Sequence, residues 1–190
     1  MSLRLLKTLA ETENRDELHM SRLLILLQSA DARKKTLETK AKAVEGITKL
    51  AKLDYLVRYP TSLERVLLRL GKGAEKVQVL PRERTSIEAK MIRFRYGPWD
   101  ARYRRWLGLL HARGLVMLGV TGNTIEIGLT DKGREVAALL RQDPLNVDVA
   151  RRSDLTVAAV GSMNATRLKD FVYETIPEII DMKWGEALSP

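Results

Sequence analysis

The chain has 190 residues, with 33 Lys+Arg against 24 Asp+Glu, two His and no Cys. That length suits one domain or a domain with a small appendage, and 45% hydrophobic residues supply a core and exclude global disorder. The missing Cys excludes disulfides, thiolate zinc sites and a Cys nucleophile, and His19 and His111 alone cannot build a His-rich metal site.

The N-terminus, MSLRLLKTLAETENRDE, is too broken by Lys7 and the following acids for a signal peptide or membrane span, so a cytoplasmic protein with no membrane partner is expected. The net charge of +9 and pI near 9.9 favour a polyanionic or acidic partner. The charge is uneven: residues 33–58 carry a local +5, residues 82–113 a local +6, and residues 141–190 a local −2. A basic working module with an appended docking segment fits that asymmetry.

In chain order, Leu3, Leu6 and Leu9 predict an N-terminal docking helix over 1–16. ELHMSRLLILLQSAD is apolar on nearly every side and reads as a buried central helix. After the polar, basic DARKKTLETKAK comes GITKLAKLDYLVRYP, a helix with Ile47, Leu50, Leu53, Leu56 and Val57 on its apolar stripe and Lys49, Lys52 and Arg58 off it. Pro60 stops it. TSLERVLLRLG follows as a helix capped by Thr61 or Ser62 and ended by Gly71. Residues 72–86 read as a flexible surface loop with one short extended piece. IEAKMIRFRY is expected as a strand with Ile92, Phe94 and Tyr96 on one face and Arg93 and Arg95 on the other, followed by a Gly97-Pro98 turn.

Asp100 caps the next helix, ARYRRWLGLLHAR, which ends at Gly114. LVMLGV and TIEIGL then form a β-hairpin around Thr121-Gly122-Asn123, and Thr130 caps the helix after it. Helix, glycine, strand, turn, strand and capped helix is the pattern of a winged helix with the hairpin as wing. The expected fold is mainly α with a small β-hairpin: a winged-helix core at 17–140 and a C-terminal helical docking extension at 141–190. In that extension Leu168, Phe171, Val172 and Ile176 form an apolar face that packs on the body or docks a partner.

No enzyme signature emerges. Gly71-Lys72-Gly73 lacks the spacing of a phosphate loop and reads as a helix end. His19 and His111 lie on Leu-rich helices and read as packed or surface side chains. No catalytic residue, metal ligand or cofactor is assigned. The densest signal runs from Arg93 to Trp106. Arg93, Arg95, Arg102, Arg104 and Arg105, interleaved with Tyr96 and Trp99, suit phosphate contacts or an acidic partner. The other reading makes Trp99 and Trp106 core anchors and the arginines salt-bridge partners of Glu83, Glu88 or Asp100. The wing, Leu115 to Leu129, carries no basic residue and Glu126 as its one charge, which suits protein docking better than a phosphate backbone.

GITKLAKLDYLVRYP (46–60), MIRFRYGPWD (91–100), L-x-x-R-G-L-V (110–116) and L-T-x-x-G-R (129–134) together resemble the middle component of ABC-three-component systems, which include the small subunit of Lamassu anti-phage defence complexes. The resemblance covers residues 46–134. It implies a non-enzymatic winged-helix subunit, kleisin-like in role, beside an SMC-like ATPase and an effector nuclease. Double-stranded DNA would be reached through the complex. It also marks Arg93 to Asp100, with Tyr96, Gly97, Pro98, Trp99 and Asp100 at its centre, as an interface or framework. The competing expectation is a free-standing winged-helix transcription regulator, which the uncharged wing tip disfavours.

Overall fold

The computed structural model describes residues 15–32, 43–85 and 90–190. The docking helix expected over 1–16 falls almost wholly outside them, as does most of the polar stretch at 31–42. The described chain is mainly helical, with a small antiparallel sheet and a separate two-stranded ribbon. Its elements are α1 (Asp16–Ala32), β1 (Val44–Glu45), α2 (Ile47–Arg58), α3 (Pro60–Arg69), β2 (Ile92–Phe94), β3 (Gly97–Trp99), α4 (Tyr103–Ala112), β4 (Val116–Thr121), β5 (Thr124–Leu129), α5 (Asp131–Gln142), α6 (Val147–Val160), α7 (Ala165–Thr175) and the one-turn α8 (Glu178–Asp181).

α1 is central because five successive apolar residues, Leu23 to Leu27, leave it no polar face. It packs on α5, α6, β5 and α4. α2 is enclosed in the same way by α6, α7, α3, β1 and β3, so Lys52 and Arg58, expected off its apolar stripe, are buried. Neither Thr61 nor Ser62 caps the helix after Pro60; Tyr59 is the cap residue of both α2 and α3, and Pro60 follows it. Pro60 occupies the first turn of α3, where its missing amide costs nothing, and Tyr59 fills the junction.

The hairpin β4–β5 turns on Gly122 and Asn123 alone, with Thr121 paired to Thr124 and Gly122 at φ 58°. A third strand joins it: β1 lies against β5, Val44 opposite Ile127, giving the order β1-β5-β4. The hairpin is clamped to α5 by Thr130. Its hydroxyl accepts from the Gly133 amide at 2.9 Å and donates to the Gly114 carbonyl at 2.7 Å. The R-G-L-V and L-T-x-x-G-R motifs are therefore two halves of one contact. Gly133 lies so close to Leu115 that a Cβ there would overlap the Leu115 carbonyl oxygen.

Residues 72–85 are pinned rather than loose. Two single 3-10 turns, Ala74–Val77 and Pro81–Arg84, bury Val77, and Glu83 accepts both guanidinium nitrogens of Arg152 at 2.8 Å. The 91–100 block also differs from expectation. Its turn falls at Arg95-Tyr96, and Gly97-Pro98 opens a second strand, with Phe94 opposite Gly97 and Ile92 opposite Trp99. The C-terminal segment then pairs with the far edge of β2: Arg93 N–H donates to Glu186 O, Gly185 N–H to Arg93 O and Leu188 N–H to Met91 O. Residues 141–190 belong to the same body, since Val157, Val160, Leu168, Val172, Ile176, Ile179 and Leu188 join the cluster that contains Leu23 and Trp106.

A buried charge network ties these layers together. Asp54 is fully buried and accepts from Arg22 Nε at 2.6 Å, Arg22 Nη2 at 3.1 Å and Tyr103 Oη at 2.6 Å. Arg58 bridges Asp54, at 3.8 Å, to Asp100, at 3.2 Å. Burial pushes the Asp54 carboxyl up, but Arg22, Arg58 and Tyr103 outweigh it and hold it below the usual carboxylate range.

Two outcomes follow for stability. Gly133→Ala gains about 1 kcal/mol of helix propensity, yet overlap with backbone costs more, so a net loss of about 2 kcal/mol is expected in urea melts. Asp54→Asn leaves Arg22 and Arg58 facing a neutral amide, and a loss of about 3–5 kcal/mol is expected by the same measurement.

Candidate docking cleft

The ribbon and the two helices beside it enclose an aromatic cleft with a cationic floor. Its walls are Phe94, Tyr96, Pro98 and Trp99, its floor Thr48 and Lys52 of α2, and its rim Arg104 of α4, around a cavity of about 160 Å³. The short turn between β2 and β3 pushes Phe94 and Tyr96 outward, 44% and 50% exposed. Trp184 stands beside Phe94, ring centroids 6.2 Å apart, and is itself exposed.

Gly97 lines the cleft at φ 111°, a conformation that L side chains rarely adopt, while a Cβ there would meet the Tyr173 hydroxyl at 3.7 Å and Lys52 Cε at 3.8 Å in ordinary contact. Lys52 is 2% exposed and donates to the Thr48 carbonyl at 3.0 Å, with no carboxylate partner among the described residues. Burial first, and the charge of Lys169 second, lower its ammonium pKa to about 8. The Tyr173 hydroxyl is buried with no hydrogen-bond partner among the described residues.

The arginines singled out from sequence separate into three environments. Arg93 is buried: its Nε donates to Ile179 O at 2.8 Å, its Nη1 to Phe94 O, and its guanidinium lies 5.5 Å from the Tyr173 ring centre. The alternation expected of 91–96 is thus inverted, because the C-terminal segment covers the face bearing Arg93 and leaves Phe94 and Tyr96 outside. Arg102 is half-buried, bound to Asp100 through Nε at 2.9 Å and Nη2 at 2.8 Å, and set over the Trp106 ring. Arg105 is exposed but paired to Asp16 at 2.7 Å. Arg95, over the Tyr96 ring, and Arg104 are exposed and have no carboxylate partner among the described residues. Tyr96, Gly97, Pro98, Trp99 and Arg104 therefore come together at the cleft, Arg95 reaches it only through its contact with the Tyr96 ring, and Arg93, Arg102 and Arg105 do not line it.

Asp100 is framework. Burial would raise its carboxyl, but hydrogen bonds from Arg102 and the Arg58 charge bring it down to about 2. Trp106 is fully buried, with Nε1 donating to Asp16 at 2.9 Å and its ring stacked on His19 at 4.3 Å. His111 Nδ1 meets the Val116 carbonyl at 3.0 Å. Leu168, Val172 and Ile176 face the chain's own core. Phe171 is half-buried beneath Arg69, at the edge of a shallow polar groove on α7 with Asn164, Arg167, Asp170 and Glu174.

Sequence reading missed Lys52, Thr48, Phe94 and Trp184 as cleft residues. Lys52 gave no signal, since a lysine off an apolar stripe normally points to water. For Phe94, strand alternation gives its face but not which face is covered. Among the described residues no group of His, Asp and Glu could hold a metal ion, and no helix is long and apolar enough to cross a membrane. Comparison with known proteins finds no matching family model, curated protein or solved structure.

Because Lys52 releases its proton near pH 8 when folded and near 10.5 when unfolded, the unfolded chain binds the extra proton between those values. Wild-type stability should therefore climb across that window. Lys52→Met, which removes a buried charge and keeps the volume, should stabilise the protein at pH 7 by up to about 3 kcal/mol. The gain should shrink towards pH 10.5. Thermal melts of both proteins from pH 7 to 10.5 check this, and a variant less stable at pH 7 contradicts it.

Proposed function

We propose that this chain is a non-catalytic winged-helix accessory subunit that docks on an SMC-like ATPase and helps hold or control an effector nuclease in an anti-phage or anti-plasmid defence complex. The observation that carries the reading is the 91–100 block. Its Arg93 and Asp100 are locked into the framework, while its aromatic residues stand at the surface around a cationic cleft. A segment whose polar ends are buried and whose aromatic centre is exposed has the composition of a protein interface.

The winged-helix part is supported by element order. α1, β1, α2, α4, β4 and β5 follow the helix–strand–helix–helix–hairpin sequence of that fold, with α3 and the ribbon inserted before α4. The sheet order β1-β5-β4 agrees. The helix that a DNA reader would place in the major groove is α4. Its exposed arginines are Arg104, at the cleft, and Arg105, paired to Asp16, and the wing presents Met117 and Val120 rather than cations. These features favour docking over direct reading of DNA by this chain, and DNA is reached through the ATPase.

Under this reading a neighbouring gene encodes a coiled-coil ATPase, and its co-expression with this chain should give a complex that co-elutes in size exclusion. For the isolated chain, the double variant Arg104→Ala, Arg105→Ala should leave duplex affinity and its salt dependence unchanged. A stable homodimer that binds a palindromic duplex at nanomolar affinity, with a salt slope reduced by about 2 in the double variant, would overturn the docking reading in favour of a transcription regulator.

A further inference from the structure

We infer that the cleft seats one acidic, apolar-anchored segment of a partner protein, with an apolar side chain between Phe94, Tyr96, Pro98 and Trp99 and a neighbouring carboxylate on Lys52 and Arg104. The inference rests on the docking reading only in taking a protein as the occupant; it does not need that protein to be an ATPase.

Charge complementarity commits the cleft to this occupant. An ammonium that is 2% exposed and lacks a carboxylate among the described residues is a standing cost, and buried cations are ordinarily paired. Lys52 uses one of its three protons, on Thr48 O. Lys169 adds positive potential from α7 but is held by Asp170 at 3.1 Å, and Arg104 has no carboxylate partner among the described residues. An incoming carboxylate supplies what the floor lacks. The cavity, about 160 Å³, is close to the apolar cavity of about 150 Å³ that takes one benzene ring. It fits one large apolar side chain and not a length of polymer.

Nucleic acid fits less well. Bases stacked along a strand need successive aromatic platforms, and this cavity admits one ring. A strand continuing across the ribbon would also meet Glu186, which is exposed beside β2. A single anchor from a protein avoids both difficulties.

The test is a selection of a random dodecapeptide library, displayed on phage, against the immobilised full chain. Enriched peptides should carry Asp or Glu within two residues of Phe, Trp or Leu. A fluorescein-labelled synthetic copy should lose at least tenfold in affinity on Lys52→Met, on Tyr96→Ala, and when its acids are replaced by their amides. Leu145→Ser, at a distant residue that is 89% exposed, should leave binding unchanged. Tyr96 is a surface residue, so its variant keeps the inference testable even if Lys52→Met perturbs the core. Absence of enrichment, enriched peptides without acids, binding indifferent to both cleft variants, or displacement of the peptide by a dodecathymidylate strand would each overturn it. None of these results alters co-elution with the ATPase, so failure of the cleft and failure of the docking reading are separable.

Discussion

A carboxylate shut away from water is costly, and Asp54 is tolerable only because three segments deliver its partners at once. Arg22 comes from α1, Arg58 from the end of α2, and Tyr103 from the start of α4. Arg58 then passes the constraint to Asp100, at the end of the ribbon. A buried ionic cluster of this kind adds little net stability over an apolar one, but it penalises every arrangement in which one partner is missing. It sets the rotation of α1 against α2 and anchors α4, which in turn stacks Trp106 on His19 and brings Arg104 to the cleft. The surface features follow from a polar knot they do not touch.

What was legible in the sequence is what local chemistry determines. The central helix was plain from its unbroken run of apolar residues. The hairpin was plain from its alternation and its Gly-Asn turn, and the helix after it from Thr130. What was not legible depends on distant partners. β1 is two residues long and exists only because β5 offers an edge to it. The burial of Arg93 depends on Tyr173, Ile179 and the segment that follows them, about eighty to ninety positions away. Lys52 is buried because α2 is covered on all sides, which a periodicity taken from one helix cannot foresee. The motifs resisted interpretation for the same reason. R-G-L-V and L-T-x-x-G-R explain each other only when Gly133 is seen against Leu115.

The C-terminal fifty residues change meaning most. Their slight negative charge and apolar face left two uses open, packing on the body or docking a partner. The first is what the fold shows: α6 covers α1 and α2, and the segment beyond α7 frames the ribbon. The acidic excess in this part is largely used internally: Glu174 and Glu178 pair with Arg69 and Arg65 of α3. The ribbon instead keeps rings and cations exposed side by side: Phe94, Tyr96 and Trp184 with Arg95 and Arg104.

The pairing of residues 185–188 with β2 also imposes an order in time. Residues 185–188 are made after every helix of the body, α1 to α8. During synthesis the ribbon therefore lacks its flanking segment until residue 188 has left the ribosome.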